Sequence, residues 1–179
     1  MTTAFARRLG TAAVVAAISV SGIVAFSTPP AAVAAQLQPD ACKVLTPKEA
    51  KRVLGKPPRR EAKIRSVQGS ECIYAAEKDA KRIVRLALGE FPSKDEASNA
   101  YTRARAKAQF DGLKAANVRG VGQRAHWLPQ TNNFERTVLG EQVEFGELTV
   151  LQGRRVYSVF LAPPSKSKAR DAMKRVIPD

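Results

Sequence analysis

Arg82-Ile-Val-Arg-Leu-Ala-Leu-Gly-Glu90 is followed, after Phe91-Pro92, by Ser93-Lys-Asp-Glu96. In the first stretch Val84, Leu86 and Leu88 share one side of a two-residue repeat while Arg85 and Ala87 share the other. That is the period of a half-buried strand. The second stretch is a capping box, in which a serine hydroxyl accepts from the backbone N–H three residues on and a glutamate reaches back. Ala97, Tyr101, Ala104 and Ala108 then recur at helical spacing, which predicts a helix to about Phe110, with Gly112 near its end.

The same two signals extend in both directions. Upstream, residues 71–76 place Cys72 and Tyr74 on one face, and residues 61–67 alternate Ala62 and Ile64 with Lys63 and Arg65. Thr46-Pro-Lys-Glu49 is another capping box, with proline at the first helical position. It opens a short helix over 46–54 that buries Ala50, Val53 and Leu54 and stops at Gly55 and Pro57. Downstream, residues 118–128 read as a glycine turn and a strand that turns Ala125 and Trp127 inward and His126 outward. A polar loop over 129–133 separates it from strand material at 136–151. Gly153 marks a hairpin between 148–152 and 155–161, with Tyr157, Val159 and Leu161 on one face. After Pro163-Pro164, a last helix over 165–177 buries Ala169, Ala172, Met173, Val176 and Ile177. The predicted fold is α+β: an antiparallel sheet of about five to six strands with three helices on one face, in the order α-βββ-α-βββ-α.

Ahead of this domain, residues 1–35 hold Arg7 and Arg8 and no acid, then an Ala/Val/Ile-rich run over 11–26, Pro29-Pro30, and Ala31-Ala-Val-Ala-Ala35. A charged stretch, an apolar stretch and small residues, in that order, are the pattern of a cleaved secretory signal peptide. The apolar run is short of the roughly 20 residues a membrane-spanning helix needs. Cleavage is expected after Ala34 or Ala35, leaving 36–41 as a tether and 42–179 as a single domain. Gly10 and Thr11 stand where a twin-arginine signal wants bulky apolar residues, which favours the general secretory route. No cysteine directly follows the cleavage region, so a lipoprotein is not expected.

Removing residues 1–35 takes away two of 30 basic residues and none of the 16 acidic ones, so 28 against 16 leave a net charge of +12. Such a charge draws anionic partners and says nothing about fold. Cys42 and Cys72 are the only cysteines. In an oxidising compartment one pairing is open to them, a structural disulfide. Two cysteines this far apart with one distant histidine are neither a zinc site nor a Cys-x-x-Cys redox pair.

Asp40-Ala-Cys-Lys-Val-Leu-Thr-Pro-Lys-Glu-Ala50, Val53-Leu-Gly55, Gly69-Ser-Glu-Cys72 and Gly120-Val-Gly-Gln-Arg-Ala-His-Trp127 together resemble a family of small exported bacterial proteins and lipoproteins of unknown function. The likeness spans nearly all of 40–177. It implies the disulfide and a compact α+β fold, and it carries no activity with it. The missing lipid-attachment cysteine and the basic surface depart from the family.

Little in the sequence points to catalysis. His126 is the only histidine, and an outward side chain beside Trp127 is expected to be exposed at a strand. Gly120-Val-Gly122 lacks the third glycine and the lysine of a phosphate loop and precedes a strand, so a turn is expected. Glu141, Glu144 and Glu147 lack the spacing of a calcium loop. No catalytic residue, cofactor or metal is therefore expected. The features with functional content are basic: Lys48, Lys51, Arg52, Lys56, Arg59, Arg60, Lys63 and Arg65 against Glu49 and Glu61, and a stripe of Arg103, Lys107 and Lys114 with Phe110 on the second helix. The last helix adds Lys166, Lys168, Arg170, Lys174 and Arg175. The expected function is a non-enzymatic secreted or envelope-associated binding domain that meets an anionic envelope component, another envelope protein or the membrane periphery. The alternative is a small interaction or inhibitor module acting by shape. Specific nucleic-acid reading is disfavoured, since few aromatics are placed for stacking.

Overall fold

The computed structural model describes residues 39–66, 69–129 and 144–177. In chain order the elements are α1 (Ala41–Val44), α2 (Pro47–Leu54), β1 (Pro58–Ser66), β2 (Gly69–Ala76), β3 (Asp79–Glu90), α3 (Lys94–Phe110), β4 (Ala116–Asn117), β5 (Arg124–Leu128), β6 (Gly146–Gln152), β7 (Arg155–Ala162) and α4 (Lys166–Val176). One antiparallel sheet holds the strands in the order β1-β2-β3-β7-β6-β5-β4. The α+β class and the antiparallel sheet are as expected. The described sheet has seven strands rather than five or six, and four helices rather than three.

Both additions are short. α1 is a single turn whose N-cap, Asp40, accepts from the Cys42 N–H at 3.0 Å. β4 is two residues long and pairs only with Trp127 and His126. The longer helices begin as expected, with Thr46 and Ser93 at the caps read from the sequence; Ser165 caps α4 in the same way, and each accepts from the backbone N–H three residues on. Gly55 ends α2 in the left-handed region at φ 72°, where a glycine carries no side-chain penalty. Of the strand material expected over 136–151, the part before residue 144 lies outside the described residues, as does most of the loop at 129–133.

The two-residue repeat divides the sheet into two faces. The first presents Cys72 and Tyr74, Val84, Leu86 and Leu88, Tyr157, Val159 and Leu161, Leu148 and Val150, and Ala125 and Trp127. α1, α2 and α4 cover it with Ala41, Leu45, Val53, Leu54, Ala169, Ala172 and Met173. On the second face the prediction that all helices lie on one face is overturned. β3 lies at the middle of the sheet and β4 at its far edge, so the connection between them must cross the sheet. α3 is that connection, and Ala97 and Tyr101 pack on Leu151 with Phe91 and Val156.

The Cys42–Cys72 bridge, 2.05 Å between sulfurs, ties α1 to β2. It is reinforced by the Ala41 N–H, which donates to Ser70 Oγ at 2.8 Å, while the Ser70 hydroxyl donates to the Pro39 carbonyl. Lys63 and Arg65 of β1 reach Asp40 at 2.6 and 3.1 Å. The Lys63 ammonium, helped by the Cys42 N–H and Arg65, holds the Asp40 carboxyl down at about 2. At the opposite end of the first face, Gly146 lies under the Trp127 indole, so that a Cβ there would run into the ring.

Two stability changes follow. The bridge closes a loop of 30-residue separation, so the Cys42→Ala/Cys72→Ala double variant should lose roughly 3–4 kcal/mol in urea unfolding. Gly146→Ala should cost about 1–3 kcal/mol by overpacking against Trp127 and shift the tryptophan emission; an unchanged midpoint would contradict the packing described.

Candidate functional site

The second face carries a polar row. His126, Thr149 and Ser158 are register partners on β5, β6 and β7. The Thr149 hydroxyl donates to Glu147 Oε1 at 2.7 Å and lies 2.9 Å from Ser158 Oγ. With its single proton engaged by Glu147, Thr149 accepts from Ser158, giving a chain that runs Ser158 to Thr149 to Glu147. α3 suits this face because its buried stripe is narrow: Ala97, Tyr101 and Ala108 are covered, whereas Ala104, expected to be buried, is exposed.

His126 was expected at an exposed position and is instead fully buried. It does leave the first face, as the alternation required, but α3 lies over the second. The Tyr101 ring meets the imidazole edge to face, centroids 4.9 Å apart, and the Arg124 guanidinium stacks on the other partner of that pair, 4.7 Å from the Tyr101 centroid. Neither imidazole nitrogen has a hydrogen-bond partner among the described residues. Burial first, and the Arg105 and Arg124 charges second, hold its pKa down at about 4. The ring is therefore neutral at neutral pH. Ser158 and Thr149 bond to each other and Thr149 to Glu147, and neither bonds to the imidazole, so among the described residues the base–nucleophile hydrogen bond of a catalytic triad is not formed.

Beside His126 a groove of about 380 Å³ opens between α3 and the sheet. Ala104, Ala108 and Leu113 line one wall, Leu128 and Phe160 the other, and Glu147 stands among them. Arg85 borders the groove with its guanidinium 4.6 Å from the Phe160 centroid and bonded to Glu71 at 3.0 and 2.6 Å.

The basic residues separate into three places. Lys48, Lys51 and Arg52 of α2 lie exposed beside α4, where Lys166, Lys168, Arg170, Lys174 and Arg175 are exposed too. Glu49 joins the helices by bonding Arg52 at 2.5 Å and Arg175 at 2.8 Å. Arg59, Arg60, Lys63 and Arg65 lie on β1, an edge strand, and Lys56 just before it. Most are paired there: Lys56 with Asp79, Arg59 with Glu61, and Lys63 and Arg65 with Asp40. Charges along an edge strand oppose the addition of a further strand, which accounts for them without a partner. Arg103 and Lys107 lie on α3, across the sheet from α2 and α4, and Lys107 pairs with Asp111 at 2.8 Å. Lys114 is not on that stripe, because the helix ends at Phe110 and Gly112 turns the chain at φ 78°. Phe110 itself is 92% exposed.

The remaining sequence candidates fall as follows. Gly120 and Gly122 both have positive φ in the turn before β5. Glu144 is exposed, and Glu141 lies outside the described residues. Among the described residues no three His, Cys, Asp or Glu side chains are grouped to hold a metal ion, and no helix is long and apolar enough to cross a membrane. A scan against models of protein families and a search of curated proteins both found no match to the chain.

The buried imidazole gives stability a pH dependence whose sign is fixed. Above about 6.5 the ring is neutral folded or unfolded, and it contributes nothing. Between about 6.5 and 4 the unfolded chain takes up a proton that the folded chain refuses, so stability falls as pH falls. Over that window the loss should reach about 3 kcal/mol. Urea unfolding at pH 7, 5.5 and 4.5 reads it, and His126→Gln should flatten the slope across the window. An unflattened slope would place the acid sensitivity elsewhere.

Proposed function

We propose that the protein is an exported, non-enzymatic binding domain of the secreted or envelope compartment, and that the outer surface of α2 and α4 meets an anionic partner. The observation that carries this is the joining of the two helices through Glu49 into one layer of eight exposed cations and two carboxylates, Glu49 and Asp171. Lys48, Lys51, Lys166, Lys168 and Lys174 make no ion pair among the described residues. Same-sign charges held together repel, and an anionic surface relieves that repulsion. The signal-like residues 1–35 and the Cys42–Cys72 bridge support the compartment. Among the described residues no hydroxyl bonds to His126, which favours binding over catalysis.

Retention on immobilised heparin tests the surface. The wild-type chain should stay bound above about 0.15 M salt, where the Debye length has fallen to about 8 Å. Lys48→Glu/Lys51→Glu/Lys168→Glu/Lys174→Glu should elute well below that, and Arg103→Glu/Lys107→Glu/Lys114→Glu should elute close to wild type. Equal losses in the two variants would reduce the effect to net charge and overturn the assignment to α2 and α4.

A further inference from the structure

The groove under α3 is distinct from the cationic layer, since it opens on the other face of the sheet. Four charged side chains line it: Arg85, Lys107, Asp111 and Glu147. Three are neutralised within the protein. Arg85 is held by both carboxylate oxygens of Glu71, and Lys107 and Asp111 pair with each other. Glu147 alone has no cation among the described residues, where its carboxylate accepts from the Thr149 hydroxyl. This is out of keeping with the rest of the molecule. Among the described residues every other half-buried carboxylate makes an ion pair: Asp40, Glu49, Glu61, Glu71, Asp79 and Glu90.

A second observation comes from His126, which lines the same groove. It is fully buried, and both of its nitrogens lack a partner among the described residues. Unmet buried polar groups are costly, and a native fold that retains one beside a groove gives a ligand a place to bond. Between Glu147 and His126 the walls are apolar: Ala104, Ala108, Leu113, Leu128 and the Phe160 ring. Apolar walls with one or two convergent polar groups are the usual make-up of a small-molecule site, and about 380 Å³ lies within the usual size range.

We propose that this groove binds a small molecule with an apolar, ring-sized body and one ammonium group, the ammonium meeting Glu147 and the body lying between α3 and Phe160 against His126. An anionic ligand is opposed there by the Glu147 carboxylate, which no cation among the described residues neutralises. His126, neutral at physiological pH, adds no positive charge to offset it.

The test uses the full chain, labelled with ¹⁵N, and a charge series on one body: 2-phenylethylamine, 2-phenylethanol and phenylacetate. His126 is the only histidine, so its ring resonances report on the groove without ambiguity. The amine should shift them saturably, the alcohol should do so at higher concentration, and the acid should leave them unmoved. Glu147→Gln should weaken the amine roughly tenfold and remove its advantage over the alcohol. Ala104→Trp fills the groove from an exposed helix position without disturbing the core, and it should block amine and alcohol alike. Three results would overturn the proposal: no probe moves the ring resonances, the acid moves them as the amine does, or Glu147→Gln binds the amine as wild type does. The four-lysine variant of α2 and α4 should bind the amine normally, so failure of the cationic surface and failure of the groove are separately visible.

Discussion

The sheet has to be covered on both faces, and the remainder of the architecture follows from how that is done. β3 and β7 sit at its centre, with apolar side chains on the first face and a mixed set on the second. Three helices contribute to one cover. Among the described helices, α3 is the one that covers β6 and β7 on the other face, because the chain leaves β3 at the middle and must reach β4 at the edge. The polar row of His126, Thr149 and Ser158 therefore ends beneath a helix whose apolar stripe is mostly alanine and one tyrosine. A thin stripe over polar side chains packs less completely than leucine over valine would, and the groove lies where α3 passes beyond Tyr101.

This layering also sorts the charge. A net +14 over the chain suggests one basic molecule with a diffuse cationic surface. In the fold the cations singled out in the sequence have three different surroundings: an outer helical layer with few acids, an edge strand where most are paired, and the far side of α3. Of these three, the first concentrates lysines that make no ion pair among the described residues. The groove, by contrast, holds a carboxylate, Glu147, that has no cation among the described residues.

What the sequence revealed was what depends on near neighbours. Capping at Thr46 and Ser93 involves residues three apart, and the alternation of Val84, Leu86 and Leu88 needs only the strand itself; both were legible. The single turn α1 and the two-residue β4 are too short to leave a periodic signal, although Asp40 ahead of Ala41 was an N-cap that could have been read. His126 was placed on the correct face and given the wrong surroundings, because its burial is decided by Tyr101, on a helix that the strand pattern does not locate. The pairing of Asp40 with Lys63 and Arg65, and of Glu49 with Arg175, joins residues 23, 25 and 126 positions apart. Without those partners, the 48–65 cluster looks like one patch when it is two. Gly112 was seen near the helix end, but Lys114 beyond it was still counted on the stripe.

The central claim is that α3 crosses the face of the sheet opposite α1, α2 and α4 and seals the single histidine beneath Tyr101. A nuclear Overhauser spectrum of the folded chain tests it most directly. Cross-peaks should join the ring protons of Tyr101 and His126, whose centroids lie 4.9 Å apart, while Trp127 should show contacts to the first face and none to α3. Absence of the Tyr101–His126 cross-peaks in a well-folded sample, or contacts between Trp127 and α3, would contradict the account.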